Sequence, residues 1–479
     1  MIEEKSQAEL LKEKLTYETK NAWEHSDTEI EKAFELCEQY KEYLDKGKTE
    51  REFAAVVEKE LLKNGFENLN ELMHQGKKLQ KGAKVYYINK NKAVAFAVLG
   101  EKPVVEGINM VGAHIDSPRI DIKQNPLYED SGLVLLKTHY YGGIKKYQWV
   151  AIPYSLHGVV VRADGSKVEV CIGEEETDPV FTITDLLPHL AQDQMQKKAT
   201  EVVSGEGLNL LIGSRPFNDK KIKDKIKLNI LKILNEKYGI IEEDFLSAEL
   251  EAVPAFKAKD IGLDRSMIGA YGQDDRVCAY TCVKAMLDFN AGEKTALCIL
   301  TDKEEIGSMG NTGAQSNFLR SFISKILYLT NDNYSDVLMN QCFENSFMLS
   351  ADVNPGIDPS YQEAYEKRNS SYVGNGVVVQ KYTGSRGKYD SSDASAEMMG
   401  LIRKLFNEKG IIWHTAELGK VDQGGGGTIA QYVANLGVEV LDCGVPILSM
   451  HSPVEITSKI DVYMCYKAMK VFLESSLSQ

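Results

Sequence analysis

Residues 295–305 read TALCILTDKEE: Thr295 to Thr301 carry no charge, and Asp302, Lys303, Glu304 and Glu305 follow at once. An apolar run that stops on charged residues reads as a strand feeding a polar loop. After Gly269 the same rhythm recurs in SKILYLT, SFMLSADV, GVVVQKY and GVEVLDCGVPI, with helical patterns such as SSDASAEMMGLIRKLFNEKG between them. Strands alternating with helices predict an α/β sandwich on a mainly parallel sheet. Upstream, VYYINK, AVAFAVLG and INMVGAHID have strand character, and residues 1 to about 82 carry apolar side chains at helical spacing. Between about Ile120 and Leu263, runs such as VLLKTHYYGGIKKYQWVAIPYSLHGVVVRADG alternate β-branched and turn residues, as in small barrels or sandwiches. The division expected is 1–119 and 264–479 as one α/β domain, interrupted by a β-rich domain over 120–263.

A chain of 479 residues is long enough for two to three domains at roughly 100–200 residues each. With 43% apolar and 26% charged residues it has the composition of a folded globular protein, not of a disordered or fibrous one. The 70 acidic residues outnumber the 56 Lys and Arg, giving a net charge of −14. A surface of that sign repels phosphate, so neither nucleic acid nor an anionic membrane is an expected partner. The opening MIEEKSQAELLKEK lacks the apolar stretch of a secretory signal, and the predicted location is cytoplasmic. Eight cysteines without a C-x-x-C pair make no disulfide scaffold; Cys278 and Cys282, one helical turn apart, read as buried thiols.

In open α/β sheets ligands bind beyond the carboxyl ends of the strands, so polar residues just after each apolar run are the candidates. These are His114 and Asp116 after INMVGA, Glu304 and Glu305 after TALCILTD, Asp352 after SFMLSA and His451 after GVPILSM. Asp274, Asp275 and Arg276 stand in YGQDDR ahead of a helical run. Singly, each also suits a structural His or a helix N-terminal charge. Jointly, two His and several carboxylates at the strand ends of one sheet fit two divalent cations of zinc type. A metal-bound carboxylate is a poor base, and adjacent Glu304 and Glu305 can divide ligation from proton transfer. The spacing in AHIDSP places Asp116 on the same side as His114, able to orient the imidazole.

At these residues the sequence resembles the aspartyl aminopeptidase family of di-zinc aminopeptidases. The motifs that carry the likeness are AHIDSP, PHLA, EGLNLLIGSRP, GQDDR, DKEEIGS, SADV, GGGGTIA and MHSPVE, in family order from about residue 80 onward. The resemblance implies a zinc-peptidase type of three-layer α/β/α catalytic domain with a β-rich insertion. It further implies two Zn2+ per subunit, Co2+ or Mn2+ being able to substitute. The ligands would be His114, Asp274 (bridging), Glu305, Asp352 and His451, with Asp116 behind the first His. Glu304 would be the general base for a zinc-bound water that releases the N-terminal residue of short peptides. The inserted domain would build dimers that assemble into a dodecamer.

One position departs from that pattern. Where eukaryotic relatives carry a second His four residues after that of PHLA, this chain has Asp193 after His189. A carboxylate cannot donate a hydrogen bond unless protonated. A substrate-binding role for His189, and for Arg386 and Lys388 as cations facing an acidic side chain, is expected from the resemblance. Preference for neutral or basic N-terminal residues, or a related metal-dependent deacylase, are the alternatives. The run Gln423 to Thr428 (QGGGGT) lacks the Lys of a phosphate loop and reads as close backbone approach to a substrate before a helix.

Overall fold

The computed structural model describes residues 5–219, 221–290, 292–331 and 333–477. At its centre is a nine-stranded sheet in the order Glu67–Asn68, Lys84–Asn89, Ala93–Val98, Thr295–Thr301, Ile108–His114, Phe347–Ala351, Glu439–Gly444, Val377–Gln380, Trp413–Thr415. The four strands from Thr295–Thr301 to Glu439–Gly444 in that order run parallel, with Thr301 opposite His114 and Ala351 opposite Cys443, so their carboxyl ends finish level.

Alternation along the strands builds two cores, because successive side chains leave opposite faces. Val94, Phe96, Val98, Val111 and Ala113 join one cluster with residues of the helices Asp27–Lys46, Gln273–Leu287 and Lys459–Leu473. Ala93, Ala95, Ala97, Met110 and Leu297 point the other way, into a cluster with the helices Phe318–Thr330 and Asp336–Glu344. The result is the three-layer α/β/α arrangement with a mainly parallel sheet. One expected strand is absent: SKILYLT forms the end of the helix Phe318–Thr330. Read with the preceding FLRSFI, its apolar residues Phe318, Leu319, Phe322, Ile323, Ile326 and Leu327 fall at helical spacing, which the short run alone conceals.

The β-rich part is a second sheet whose six strands Ala248–Pro254, Arg119–Asp130, Leu133–Tyr141, Leu210–Gly213, Phe181–Ile183 and Pro153–Val161 close into a ring, with Lys167–Ile172 alongside. Closure removes free edges, as in small barrels. Sheet membership changes after Pro254: Lys259–Ile261 pairs with Met267–Ala270 in a third, five-stranded sheet that also holds Glu455–Ser458. Among the described residues no helix is long and apolar enough to cross a membrane. Cys278 and Cys282 are fully buried, and burial pushes both thiols up.

Candidate metal centre

The level strand ends deliver the predicted residues to one place. His114 closes its strand, Glu304 and Glu305 form a short 3-10 turn after Thr295–Thr301, and Asp352 follows Phe347–Ala351. Asp274 opens the helix Gln273–Leu287, and His451 lies in the loop before Glu455–Ser458. Ligand atoms of His114, Asp274 and Asp352 lie within 4.8 Å of one another, and so do those of Asp274, Glu305 and His451. Asp274 is common to both groups. Its Oδ1 is 3.2 Å from His114 Nε2 and its Oδ2 is 3.1 Å from His451 Nε2. Glu305 Oε2 is 3.4 Å from His451 Nε2.

The electrostatics of this cluster fit a cation. Burial, then the neighbouring negative charge of Asp274, pushes the Glu305 carboxyl well above the usual range. Burial and Asp275 do the same to Asp352. Asp274 goes the other way: burial opposes its charge, but the two imidazoles hold its carboxyl low. Burial works against the charged forms of both histidines, yet the carboxylates beside them raise each, His451 to about 11. Glu305 Oε1 is buried without a hydrogen-bond partner. A buried carboxylate oxygen left unpaired is costly, and a divalent ion at this spot supplies the missing partner.

Backbone contacts fix the donors. His114 Nδ1 lies 3.0 Å from the Asp116 carbonyl, which leaves Nε2 facing Asp274. The Asp116 carboxylate reaches further, accepting the amides of Glu304 and Glu305. His451 Nδ1 lies 2.8 Å from the Gly143 carbonyl, and Trp149 Nε1 donates to the His451 carbonyl. Tyr141 donates its hydroxyl to Asp116 Oδ2 at 2.8 Å. Tyr141, Gly143 and Trp149 all come from the barrel part of the chain, and the sequence reading missed them. The signal was the YYGG step at 140–143, whose glycines admit close approach: a Cβ on Gly142 would stand 3.3 Å from Glu305 Oε2. Glu455 was also missed, although it lies in the quoted MHSPVE.

Of the neighbouring pair, Glu305 is 4% exposed and Glu304 18% exposed, so they differ in access to solvent. Burial pushes Glu304 up to about 7, opposed by His114 and reinforced by Asp116. Asp275 is buried with both carboxylate oxygens unpartnered, and Arg276 spends its guanidinium on the carbonyls of Gly272, Tyr271 and Gly47.

No hydrogen bond or ion pair joins the other expected site residues to the cluster among the described residues. His189 is exposed on the turn Pro188–Leu190 and has no hydrogen bond or ion pair among the described residues. Lys388 pairs with Asp393 at 2.7 Å and lies over the Tyr382 ring. Arg386 is exposed at the rim of a cavity of about 390 Å3 that Tyr382 and Glu417 also line. The glycine run packs against protein: a Cβ on Gly424 would meet the Leu418 carbonyl and one on Gly425 the Gly384 carbonyl, each at 2.0 Å. Close backbone approach is there, but to two neighbouring loops, with the helix Ala430–Ala434 following.

Glu52, His157 and Cys171 also bring ligand atoms within 4.8 Å. His157 Nδ1 lies 2.6 Å from Glu52, while Nε2 lies 3.0 Å from Ser155 and Glu174. The two ring nitrogens face apart and each already has a carboxylate partner, and Lys48 pairs with Glu174 at 2.7 Å, so this reads as an ionic cluster.

Level strand ends, a shared carboxylate and a buried cation-seeking cluster define a metal-dependent hydrolase of the α/β/α class. The family model "Aminopeptidase I zinc metalloprotease (M18)" matches residues 43–473. A relative from Clostridium acetobutylicum, a probable M18 family aminopeptidase 1, is 50% identical over 96% of this chain and 99% of its own. The crystal structure of an M18 aminopeptidase from Thermotoga maritima superposes with a TM-score of 0.92 at 45% identity, covering 96% of this chain and all of that one. The S. cerevisiae mApe1 dodecamer shares the fold at 19% identity, with a TM-score of 0.73 over 91% of this chain and 96% of that one. The chain belongs to the M18 family of zinc metallo-aminopeptidases.

Proposed function

We propose that the chain removes the N-terminal residue from short peptides using two zinc ions per subunit. The observation that carries the reading is Asp274, whose two oxygens each face one histidine. His114, Asp274 and Asp352 would hold one ion and Asp274, Glu305 and His451 the other, Asp274 bridging. Bound zinc supplies a Lewis acid for the scissile carbonyl and lowers the pKa of water.

The protein groups do the rest. Glu304 is the general base: it sits beside the cluster, His114 Nε2 being 3.9 Å away, yet belongs to neither ligand group. It takes the proton of the attacking water and returns it to the leaving amine. Asp116 keeps Glu304 in place through the backbone. The acidic surroundings attract the free ammonium of a peptide N-terminus, which confines cleavage to chain ends. Arg386, exposed and without an ion-pair partner among the described residues, is the better candidate for meeting an Asp or Glu side chain, because the Lys388 ammonium is tied to Asp393, which it shares with Lys381. The Glu417 carboxylate lining the same cavity favours the second reading, the same mechanism with a neutral or basic preference. We further propose a cytoplasmic homo-oligomer built through residues 120–263, dodecameric like its distant fold relative, with His189 and Asp193 of the exposed turn next to a neighbouring subunit.

The test is residue release from peptides beginning with Asp, Glu, Lys, Leu or Ala, with chelator and with zinc restored. Chelator-sensitive release of Asp and Glu is the expected result. Release of other residues instead overturns the acidic preference, and no release with zinc restored overturns the aminopeptidase reading.

A further inference from the structure

Glu455 opens the strand Glu455–Ser458 and is 1% exposed. Its Oε1 accepts the backbone N–H of His451 at 2.7 Å and its Oε2 accepts that of Asp274 at 2.9 Å. One carboxylate thus spans two segments far apart in the chain, each of which supplies a donor to the centre. The Glu455 main chain adds to the tie: its carbonyl accepts from the Gln273 side-chain amide at 2.6 Å, and Glu455 pairs with Ala270 across the third sheet.

Two features set this apart from an ordinary turn cap. No Lys or Arg among the described residues pairs with Glu455, and a buried carboxyl group costs more than the Ser or Asn that would serve one amide. His451 has φ 63°, a strained left-handed backbone that a non-glycine residue keeps only where its surroundings enforce it. The hydrogen bond that the His451 N–H donates to Glu455 and the imidazole contact with Gly143 are the enforcing contacts.

We propose that Glu455 is a positioning residue that sets the separation of Asp274 and His451, and thereby the affinity of the metal site they form with Glu305. The inference rests on the two-zinc reading given above. Glu455 touches neither donor atom; it acts through the backbones of both ligands. Glu455→Gln preserves the shape but turns an amino group toward one of the two N–H groups, and Glu455→Ala leaves both unpaired. Outer contacts of this kind are worth about 10–100-fold in metal affinity.

The experiment is a competitive chelator titration of the zinc-loaded full-length protein, following zinc release in steps, for wild type and both variants, with melting curves of the metal-free forms. The expected result is that one of the two zinc equivalents weakens about 10–100-fold, while the other, which shares only Asp274 with it, weakens clearly less. Activity of the variants should return with added zinc. Two equivalents released as in wild type, or weakened equally, overturn the inference even if the melting temperature falls. A wild type that holds fewer than two zinc ions overturns the two-zinc reading and the inference with it. Should Glu455→Ala fail to fold, Glu455→Gln carries the test alone.

Discussion

Asp116 Oδ1 accepts the backbone N–H of Glu304 at 3.0 Å, while its Oδ2 takes that of Glu305 at 3.2 Å. A single buried carboxylate therefore fixes the turn on which both glutamates ride, in addition to following His114 in the chain. Asp116→Asn keeps one acceptor oxygen and sets an amino group against the other amide. We expect kcat to fall about 10–100-fold, the scale of lost support contacts, with zinc content by elemental analysis near that of wild type.

Glu304→Gln removes the proposed base and no member of either ligand group. The expected outcome is full zinc content with kcat lower by about 10²–10⁴, the usual contribution of general base catalysis. Near-normal turnover would remove Glu304 from that role.

The Tyr141 hydroxyl reaches Asp116 from the barrel, and burial with the Asp116 charge raises its pKa so that it stays a donor. Tyr141→Phe deletes one hydrogen bond worth about 1–2 kcal/mol, so kcat should drop roughly tenfold with zinc content unchanged. An unaltered kcat would mean that the barrel does not support the glutamate turn.

His157 lies between Glu52 and Glu174, where burial opposes its charge but Cys171 and the two carboxylates raise it from 6.5 to about 11. A raised histidine binds its proton more tightly when folded, so its stabilisation is complete below pH 6.5 and fades as pH climbs toward 11. His157→Gln should cost about 3–5 kcal/mol near pH 6, as breaking a buried ion pair does, and less as pH rises. Melting curves of both proteins should converge as pH rises from 6.5 toward about 11; parallel curves would mean the imidazole is neutral.

Arg386 and Lys388 should behave differently in peptide assays. If Asp and Glu are released, Arg386→Gln should raise KM for those peptides by about tenfold, one exposed charge contact's worth, and leave Ala peptides unchanged. Lys388→Gln should do little, since Asp393 already holds that ammonium.

The candidate ligands were legible because the chemistry forces their placement. Parallel strands deliver their carboxyl ends to one edge, so a polar residue after each apolar run in one sheet is likewise delivered there. His114, Glu305 and Asp352 follow that rule, and the repeating run–loop–helix rhythm carried the layer order as well; His451 comes instead from the loop after Pro446–Leu448 in the third sheet. SKILYLT misled because its short apolar stretch Ile326–Leu329 suits a buried helix as well as a strand, and only its longer context separates them.

What the sequence by itself determined is therefore the candidate residues and the parallel sheet that carries His114, Glu305 and Asp352, since both follow from local pattern. Tertiary structure alone decided how those donors are held. Asp116 grips the amides of Glu304 and Glu305, Glu455 those of Asp274 and His451, and the barrel lends Tyr141 and Gly143. Contacts between a side chain and a distant backbone amide leave no periodicity in the sequence, because any residue can supply an N–H.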